Sequence, residues 1–207
     1  MRSEPKRILV LFAHPSLERS EVNRHLLAAS RAMDGVTVVD LYGEYPTFRI
    51  DIDREQRRLV EHDVIVFMFP MYWYSTPAIL KEWQDLVLEY DFAYGESGNA
   101  LEGKLFLCAM TAGAREESYS AGGLNNYTLN ELLQPLEQTA RLCGMHYLPP
   151  FPLFGARTAL EEGRAANHAS DWRRVLEALR DDTLDLRAAA ALPRLNQDLD
   201  QLLEVGA

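Results

Sequence analysis

Five short apolar runs alternate with longer amphipathic segments along the chain. Strands are predicted over residues 6–12, 36–41, 63–69, 105–110 and 145–148. Most of these runs lack polar alternation, which is typical of strands buried on both faces of a parallel sheet. Helices are predicted between them, over residues 20–33, 53–62, 77–91, 128–143 and 158–180. This order predicts one α/β domain over residues 1–207, with a parallel sheet and helices on both of its faces.

Local signals mark several helix starts. Pro77 suits the first position of a helix, and Ser75 or Thr76 is the expected cap before it. Capping-box spacings predict further starts at Asp53, Thr128 and Thr158. Residues 182–207 form a C-terminal extension with two apolar segments, at 188–191 and 195–205, whose packing the pattern does not determine.

Composition and charge exclude several classes of partner. The chain is 47% hydrophobic and 25% charged, the usual balance of a soluble globular protein. Its net charge is −10 and it has no basic run, so we expect no binding to nucleic acid and no electrostatic binding to anionic lipid. The two cysteines, Cys108 and Cys143, are expected as buried thiols in a reducing compartment. With no apolar signal segment and no apolar run of membrane-spanning length, we expect a cytoplasmic protein.

Missing motifs narrow the α/β class further. The loop after the first strand has no Gly-x-Gly-x-x-Gly, which argues against a dinucleotide-binding Rossmann domain. The chain also lacks a Walker loop and a Gly-x-Ser-x-Gly nucleophile elbow, which argues against NTPases and α/β-hydrolases. The remaining arrangement is the flavodoxin-like one, a five-stranded parallel sheet in the order 2-1-3-4-5 that holds a flavin mononucleotide at its switch point.

Three strand-to-helix loops could build one site at the carboxyl edge of this sheet. The first contains His14 and Ser20 beside a helix N-terminus, which would hold an anion without Lys or Arg. The second, residues 70–76, carries three aromatics that suit a flat ligand, or alternatively a dimer contact. The third, residues 111–127, contains Gly113, which permits close backbone approach, and Tyr119, whose phenol could face developing charge. We expect backbone N–H groups at residues 111–113 to serve as donors to a reduced ring.

Over residues 7–180 the chain resembles the NAD(P)H:quinone oxidoreductases of the flavodoxin-like fold, and among them the ancillary proteins of glutathione-regulated potassium-efflux systems. Each matching piece is weak evidence by itself, but the occurrence of all of them in the same order and at matching spacing is strong evidence for the resemblance. The pieces are Ala13-His14-Pro15, Ser20-x-x-Asn23, Asp40-Leu41-Tyr42, Tyr45-Pro46-x-Phe48, Ile50-Asp51-Ile52, Tyr74-Ser75-x-Pro77-Ala78-x-Leu80-Lys81-Glu82-Trp83 and Gly122-Gly123-x-Asn125.

The resemblance implies FMN, or alternatively FAD, as cofactor, NAD(P)H and a quinone as substrates, and a homodimer. It also implies where the flavin would lie and assigns Tyr119 to hydride transfer. The phosphate contacts would be His14, Ser20, Glu21, Val22 and Asn23; the stretch along the ring system would be Pro70, Met71, Tyr72, Trp73 and Tyr74; the pyrimidine side would be Thr111, Ala112, Gly113 and Ala114.

Two departures from the family pattern keep other functions open. The third loop reads Thr111-Ala112-Gly113-Ala114 where the family usually has Thr-Thr-Gly-Gly, and Asn125 stands where mammalian-type enzymes have a histidine. Asparagine can donate a hydrogen bond, but it cannot take up the proton-linked charge of an imidazole. One alternative is therefore a regulatory subunit that binds a membrane potassium antiporter, which would place it at the inner face of the cell membrane. A plain flavodoxin-type electron carrier is a third possibility.

Overall fold

A parallel sheet forms the centre of the molecule, whose computed structural model describes residues 4–204. Its strands pair in parallel and follow the predicted order 2-1-3-4-5, with a sixth strand added beside the fourth. The bounds of the four central strands are β1 Ile8–Phe12, β2 Val36–Asp40, β3 Val64–Pro70 and β4 Leu105–Thr111. The outer edge differs from the single fifth strand that we expected, because two short strands, β5 His146–Tyr147 and β6 Phe151–Leu153, both pair with β4. Pro149 and Pro150 separate them, since proline has no N–H to donate to a ladder.

Helices cover both faces of the sheet, as predicted. Residues such as Leu9 and Leu11 point to one face, where α3, α4 and α5 pack; Ile8 and Val10 point to the other, where α1 and α6 pack. This alternation follows from the period of two in a strand. The helices are α1 Glu21–Arg31, α2 Leu41–Glu44, α3 Ile52–Glu61, α4 Ala78–Val87, α5 Leu129–Leu142, α6 Arg164–Arg180, α7 Leu186–Ala189 and α8 Leu199–Glu204.

Three predicted helix starts were wrong. The α3 helix is capped by Asp51, whose side chain accepts from the Arg54 N–H at 3.1 Å, and Asp53 lies inside the helix. The α4 helix has Pro77 itself at the N-cap, with no side-chain hydrogen bond from Ser75 or Thr76. The α6 helix begins after Gly163, whose φ of 71° ends a run of turns that starts near the predicted Thr158. The capping box of Thr128 and Glu131 on α5 is confirmed.

The described part of the C-terminal extension, residues 182–204, packs against the α1 and α6 face. Leu184, Ala189, Leu195, Leu199 and Leu202 are all buried in the same apolar cluster as Trp172 of α6. The two cysteines are unpaired and buried, as expected, and burial raises the pKa of both thiols. None of the helices within residues 4–204 is long and apolar enough to cross a membrane.

Candidate functional site

The three loops converge on one cavity of about 790 Å³ at the carboxyl ends of β1, β3 and β4. This volume falls within the range of small-molecule sites, about 300–1,000 Å³. The convergence follows from the topology, because parallel strands end at the same edge of a sheet. The lining residues are His14, Ser16, Glu18, Arg19, Ser20, Val22, Asn23, Pro70, Met71, Tyr72, Thr111, Gly113, Ala156, Arg157 and Leu160.

His14 is held as a neutral donor at one end of this cavity. Its Nδ1 atom accepts a hydrogen bond from the backbone N–H of Ser16 at 3.1 Å. The neutral ring therefore carries its proton on Nε2. Burial lowers the pKa of His14, against the opposing effects of Glu18 and Asp40, so that the neutral form predominates at neutral pH. The Nε2–H group is thus available to an acceptor such as an anion.

Ser20 caps α1 and keeps its own hydroxyl proton free. The Ser20 Oγ atom accepts from the Asn23 N–H at 3.3 Å and from Asn23 Nδ2 at 2.7 Å. Because both bonds use the oxygen as acceptor, the O–H can still donate. Helix geometry also leaves the N–H groups of Glu21 and Val22 without partners inside α1. This end of the cavity combines hydroxyl, imidazole and helix N-terminus donors, which is the chemistry of an anion site.

Asn23 joins the first loop to the third. Its Nδ2 atom lies 3.2 Å from Thr111 Oγ1, and both residues are buried. The same amide therefore fixes the N-cap serine and the carboxyl end of β4. The third loop is also tied to the second, because the Met71 N–H donates to the Thr111 carbonyl at 2.8 Å.

The second loop makes a tight turn of an unusual composition. The N–H and C=O groups of Tyr72 and Ser75 bond each other reciprocally at 3.0 Å. Trp73 and Tyr74, at the two central positions, have φ of 50° and 63°. This is the backbone of a type I′ turn, where Asn and Gly are usual and where a bulky residue is strained. The Trp73 side chain is 93% exposed, so packing does not explain the strain and a binding role is the natural hypothesis.

In the third loop, the backbone N–H groups of residues 111–113 are not all available as donors, contrary to our expectation. The Ala112 N–H donates to the Leu153 carbonyl of β6 at 2.9 Å, and Ala112 is buried, so this group is not available to a ligand. The Ala114 carbonyl accepts from the Gly155 N–H at 2.8 Å, and Ala114 does not line the cavity. Gly113 does line it.

The structure explains why both glycines of the Gly122-Gly123-x-Asn125 motif are needed. Gly122 has φ of 85°, which favours glycine. A Cβ atom on Gly123 would lie 2.7 Å from the Glu117 carbonyl oxygen and 2.8 Å from that of Ser118. Any side chain there would displace the 3-10 turn Glu116–Ser118 that precedes Tyr119.

Tyr119 follows the 3-10 turn Glu116–Ser118 of the third loop. Its ring packs on Phe154, with centroids 5.4 Å apart. Burial raises the pKa of the Tyr119 phenol, and the nearby Tyr74 phenol adds to this, so Tyr119 is a neutral donor. The Tyr74 hydroxyl donates to Asn125 Oδ1 at 3.3 Å. The buried Nδ2 atom of Asn125 has no hydrogen-bond partner among residues 4–204.

The cavity thus brings together residues of all three loops that sequence reasoning had selected. His14 and Gly113 line the same space, and Trp73 adjoins Tyr72, whose ring meets His14 edge-on at 6.3 Å. Trp73, Tyr74, Tyr119, Ala112 and Ala114 are not among the lining groups. The side chain of Glu21, also expected at the site, lies outside the part of the chain that the structure describes. Sequence reasoning missed Ser16, Glu18 and Arg19 of the first loop and three residues of the segment after β6, Ala156, Arg157 and Leu160.

Residues 6–176 match the model of a protein family, Flavodoxin_2, which is described by its flavodoxin-like fold. The chain belongs to this family. The ancillary protein KefG of the glutathione-regulated potassium-efflux system in Cronobacter sakazakii is 46% identical over 177 residues, covering 85% of this chain and 95% of that one. The family match, over residues 6–176, includes the three loops and all the residues that line the cavity.

Two solved structures extend the comparison. General stress protein 14 of Treponema denticola, solved in complex with FMN, superposes with a TM-score of 0.79 at 38% identity, covering 84% of this chain and 99% of that one. An NADPH-quinone reductase from P. pentosaceus superposes with a TM-score of 0.74 at 30% identity, covering 82% and 97%. The resemblance to quinone oxidoreductases and efflux ancillary proteins predicted from the sequence is confirmed at the level of the family. The extension after α6 lies outside the family model.

Proposed function

We propose that this flavodoxin-like protein is a flavin-dependent NAD(P)H oxidoreductase that binds FMN in the cavity and reduces quinones by two electrons. The observation that carries the proposal is the pairing of an anion-binding end, at His14 and Ser20, with an aromatic second loop in one cavity. A flavin mononucleotide has this combination of a phosphate and a flat ring system. The FMN-bound relative and the NADPH-quinone reductase relative support it.

The residues present fit this cofactor. The phosphate would accept hydrogen bonds from Ser20 Oγ, His14 Nε2 and the free N–H groups at the start of α1. Met71 and Tyr72, which line the cavity, would lie along the ring system, with the exposed Trp73 and Tyr74 beside them. Thr111 and Gly113 would lie near its pyrimidine side. When bound, the flavin supplies the redox chemistry, taking up hydride from NAD(P)H and giving two electrons to the acceptor.

The protein would position the flavin, donate hydrogen bonds to its reduced ring and give both substrates access to the same face of the ring. Tyr119 remains a neutral phenol because burial raises its pKa, so it can donate to negative charge that develops near it. With the Ala112 N–H engaged by β6, Gly113 is the backbone donor left in that part of the loop. NAD(P)H and quinone would use the same open face in turn, which predicts ping-pong kinetics.

Two measurements test this function. Denaturing the purified protein should release a flavin that chromatography identifies as FMN, and the alternative outcome for the cofactor is FAD. Initial rates with NADPH and a soluble quinone should give parallel double-reciprocal lines. Intersecting lines, or the absence of turnover with flavin bound, would contradict the proposed reaction.

Ser20→Ala separates the anion site from helix capping. The substitution removes an N-cap, which costs about 1 kcal/mol of folding free energy. It also removes a hydrogen bond to a charged group, worth about 1.5–3 kcal/mol, so the dissociation constant of FMN should rise about tenfold to a hundredfold. Thr128→Ala is the matched control, because it removes the capping box of α5 but lines no part of the cavity. Equal effects of the two substitutions on FMN affinity would refute the anion site.

A second candidate function is a regulatory subunit of a membrane potassium antiporter, with minor enzyme activity. The 93% exposed Trp73 on a strained turn and the 46% identity to KefG favour it. This role would place the protein at the inner face of the cell membrane through its partner. An efflux assay with Tyr119→Phe and with His14→Ala combined with Ser20→Ala distinguishes the two. Efflux control that survives the loss of NADPH oxidation would assign regulation as the function.

A homodimer is also proposed, with the exposed second loop and residues 93–103 near its interface. Tyr72, Trp73 and Tyr74 are large aromatic groups left at the surface of the single chain, and such groups are enriched at interfaces. Light scattering of the purified protein should give twice the mass of the chain. A mass of 23.5 kDa would contradict the dimer.

A further inference from the structure

We infer that Arg194, in the C-terminal extension, is a positioning residue that holds the Tyr119 loop in place. The kinetic part of this inference rests on the proposed function, whereas its structural part does not. The extension lies beyond residue 176, where the family match ends, so the contact is an addition to the shared fold.

The contact is a two-point ion pair. Arg194 Nε donates to Glu116 Oε1 at 3.0 Å, and Arg194 Nη2 donates to Glu116 Oε2 at 3.0 Å. The Arg194 side chain is 24% exposed and that of Glu116 is 53% exposed. A bidentate arginine–carboxylate pair fixes orientation as well as distance, which a single exposed ion pair does not.

The arginine itself stands on an anchored segment, residues 193–196. The Leu195 side chain is fully buried, and its N–H donates to the Pro150 carbonyl at 2.9 Å. Asn196 Nδ2 donates to the Pro152 carbonyl of β6 at 2.9 Å. On the other side, Asn130 Nδ2 of α5 donates to the Pro193 carbonyl at 3.1 Å. The segment therefore bridges β6 and the start of α5. The third loop ends at α5, and it starts at the end of β4, which pairs with β6.

Glu116 is connected to Tyr119 by a short turn of the backbone. Glu116 opens the 3-10 turn Glu116–Ser118, and its carbonyl accepts the Tyr119 N–H at 2.8 Å. The Tyr119 ring packs on Phe154, which follows β6, the strand to which the 193–196 segment is bonded. The backbone and the ring of Tyr119 are thus both held by groups that connect to the 193–196 segment, one through Glu116 and the other through the chain around β6. Within residues 4–204, the ion pair is the polar contact that joins the outer half of the third loop to the extension.

Hydrogen exchange tests the structural part of the inference. Peptides covering residues 113–125 should exchange several-fold faster in Arg194→Ala and in Glu116→Gln than in the natural protein. The double variant should exchange no faster than either single one, because both remove the same interaction. Arg174→Ala is the matched control, since Arg174 pairs with Asp200 of the same extension but does not touch the third loop. Unchanged exchange in both single variants, or an equal increase in the control, would overturn the inference.

Steady-state kinetics test the functional part. Turnover of NADPH with a quinone should fall about tenfold in both single variants, since a misplacement of about 1 Å can cost up to a hundredfold. The loss should appear in kcat more than in the KM for NADPH, and Arg194→Lys should restore only part of it, because lysine lacks the planar fork. Glutamine has the same shape as glutamate, and the side chain at position 116 is 53% exposed, so we expect Glu116→Gln to fold normally. Normal kcat in variants that show faster exchange would overturn the kinetic role. Absence of turnover in the natural protein would instead refute the proposed function and leave the exchange result standing.

Discussion

Lowering the pH should destabilise this protein through one buried histidine, His168 of α6. Its side chain is 6% exposed, and its ring stacks on Phe151 with centroids 4.4 Å apart. Its Nε2 atom has no hydrogen-bond partner within the described residues. Burial, with a smaller contribution from the positive charge of Arg164, lowers the pKa of His168 from 6.5 to about 3.

The sign and size of the effect follow from linkage. The unfolded chain takes up a proton at His168 near pH 6.5, whereas the folded chain does so only near 3, so the unfolded state binds more protons in between. The stability that neutral His168 confers is complete above pH 6.5 and falls as the pH drops towards 3. Between about pH 7.5 and pH 5, the loss from this residue alone is about 2 kcal/mol.

Urea unfolding at the two pH values, with His168→Phe and His168→Gln beside the natural protein, measures this loss. Both variants should lose about 2 kcal/mol less on acidification, because neither side chain can take up the proton. His14 and His62 also have pKa values lowered by burial, but their contributions are present in every variant and cancel in the difference. His146→Gln is the control, since His146 is exposed. The same acid sensitivity in the natural protein and in both His168 variants would refute the reasoning.

Three further predictions concern a buried carboxylate of the core and two turns of the loops. The fully buried Glu55 carboxylate accepts hydrogen bonds from Tyr45 and Trp83 and pairs with Arg58. Glu55→Ala should therefore lower the free energy of unfolding in urea titrations by about 3–5 kcal/mol. Glu55→Gln, which keeps an acceptor, should lower it less. Gly123→Ala should lower NADPH turnover without loss of FMN binding, since the added Cβ displaces the Tyr119 turn; unchanged kinetics would contradict that contact. Trp73→Asn combined with Tyr74→Gly should raise the unfolding free energy by about 1–3 kcal/mol by relieving the turn, while weakening FMN binding.

Much of the fold follows from hydrophobic periodicity. The strands β1, β3 and β4 are continuous apolar runs buried on both faces, so their identity and parallel order could be predicted from the sequence. Helix starts were less predictable, because several capping residues compete locally. At α3, Asp51 and Asp53 both offer a carboxylate, and the sequence alone does not distinguish them. In the structure Asp51 is the cap, and Glu55 within the helix accepts a hydrogen bond from the buried Tyr45.

The site was predictable in its place but not in its bonding. His14, Ser20 and Gly113 follow strands, which puts them at the same edge of the sheet. The Ala112 N–H was misjudged because its partner, the Leu153 carbonyl, belongs to a strand that the two prolines hide from a periodicity argument. Arg157 was missed for a related reason, since its segment has the pattern of a helix start but forms turns beside the cavity.

The bonding of the three loops divides the cavity into two unlike ends. At the base, Asn23 bonds Ser20 and Thr111, and the Met71 N–H bonds the Thr111 carbonyl, so the anion end stands on groups fixed to the ends of β1, β3 and β4. At the outer end, the described side chains of the second and third loops meet through one hydrogen bond, from Tyr74 to Asn125 at 3.3 Å. Under the proposed function, a cofactor phosphate would be held in one place at the base, and a weakly bonded outer end would let two substrates enter and leave in turn. The ion pair between Arg194 and Glu116 would add a support for the third loop from outside this pair of ends, three residues before Tyr119.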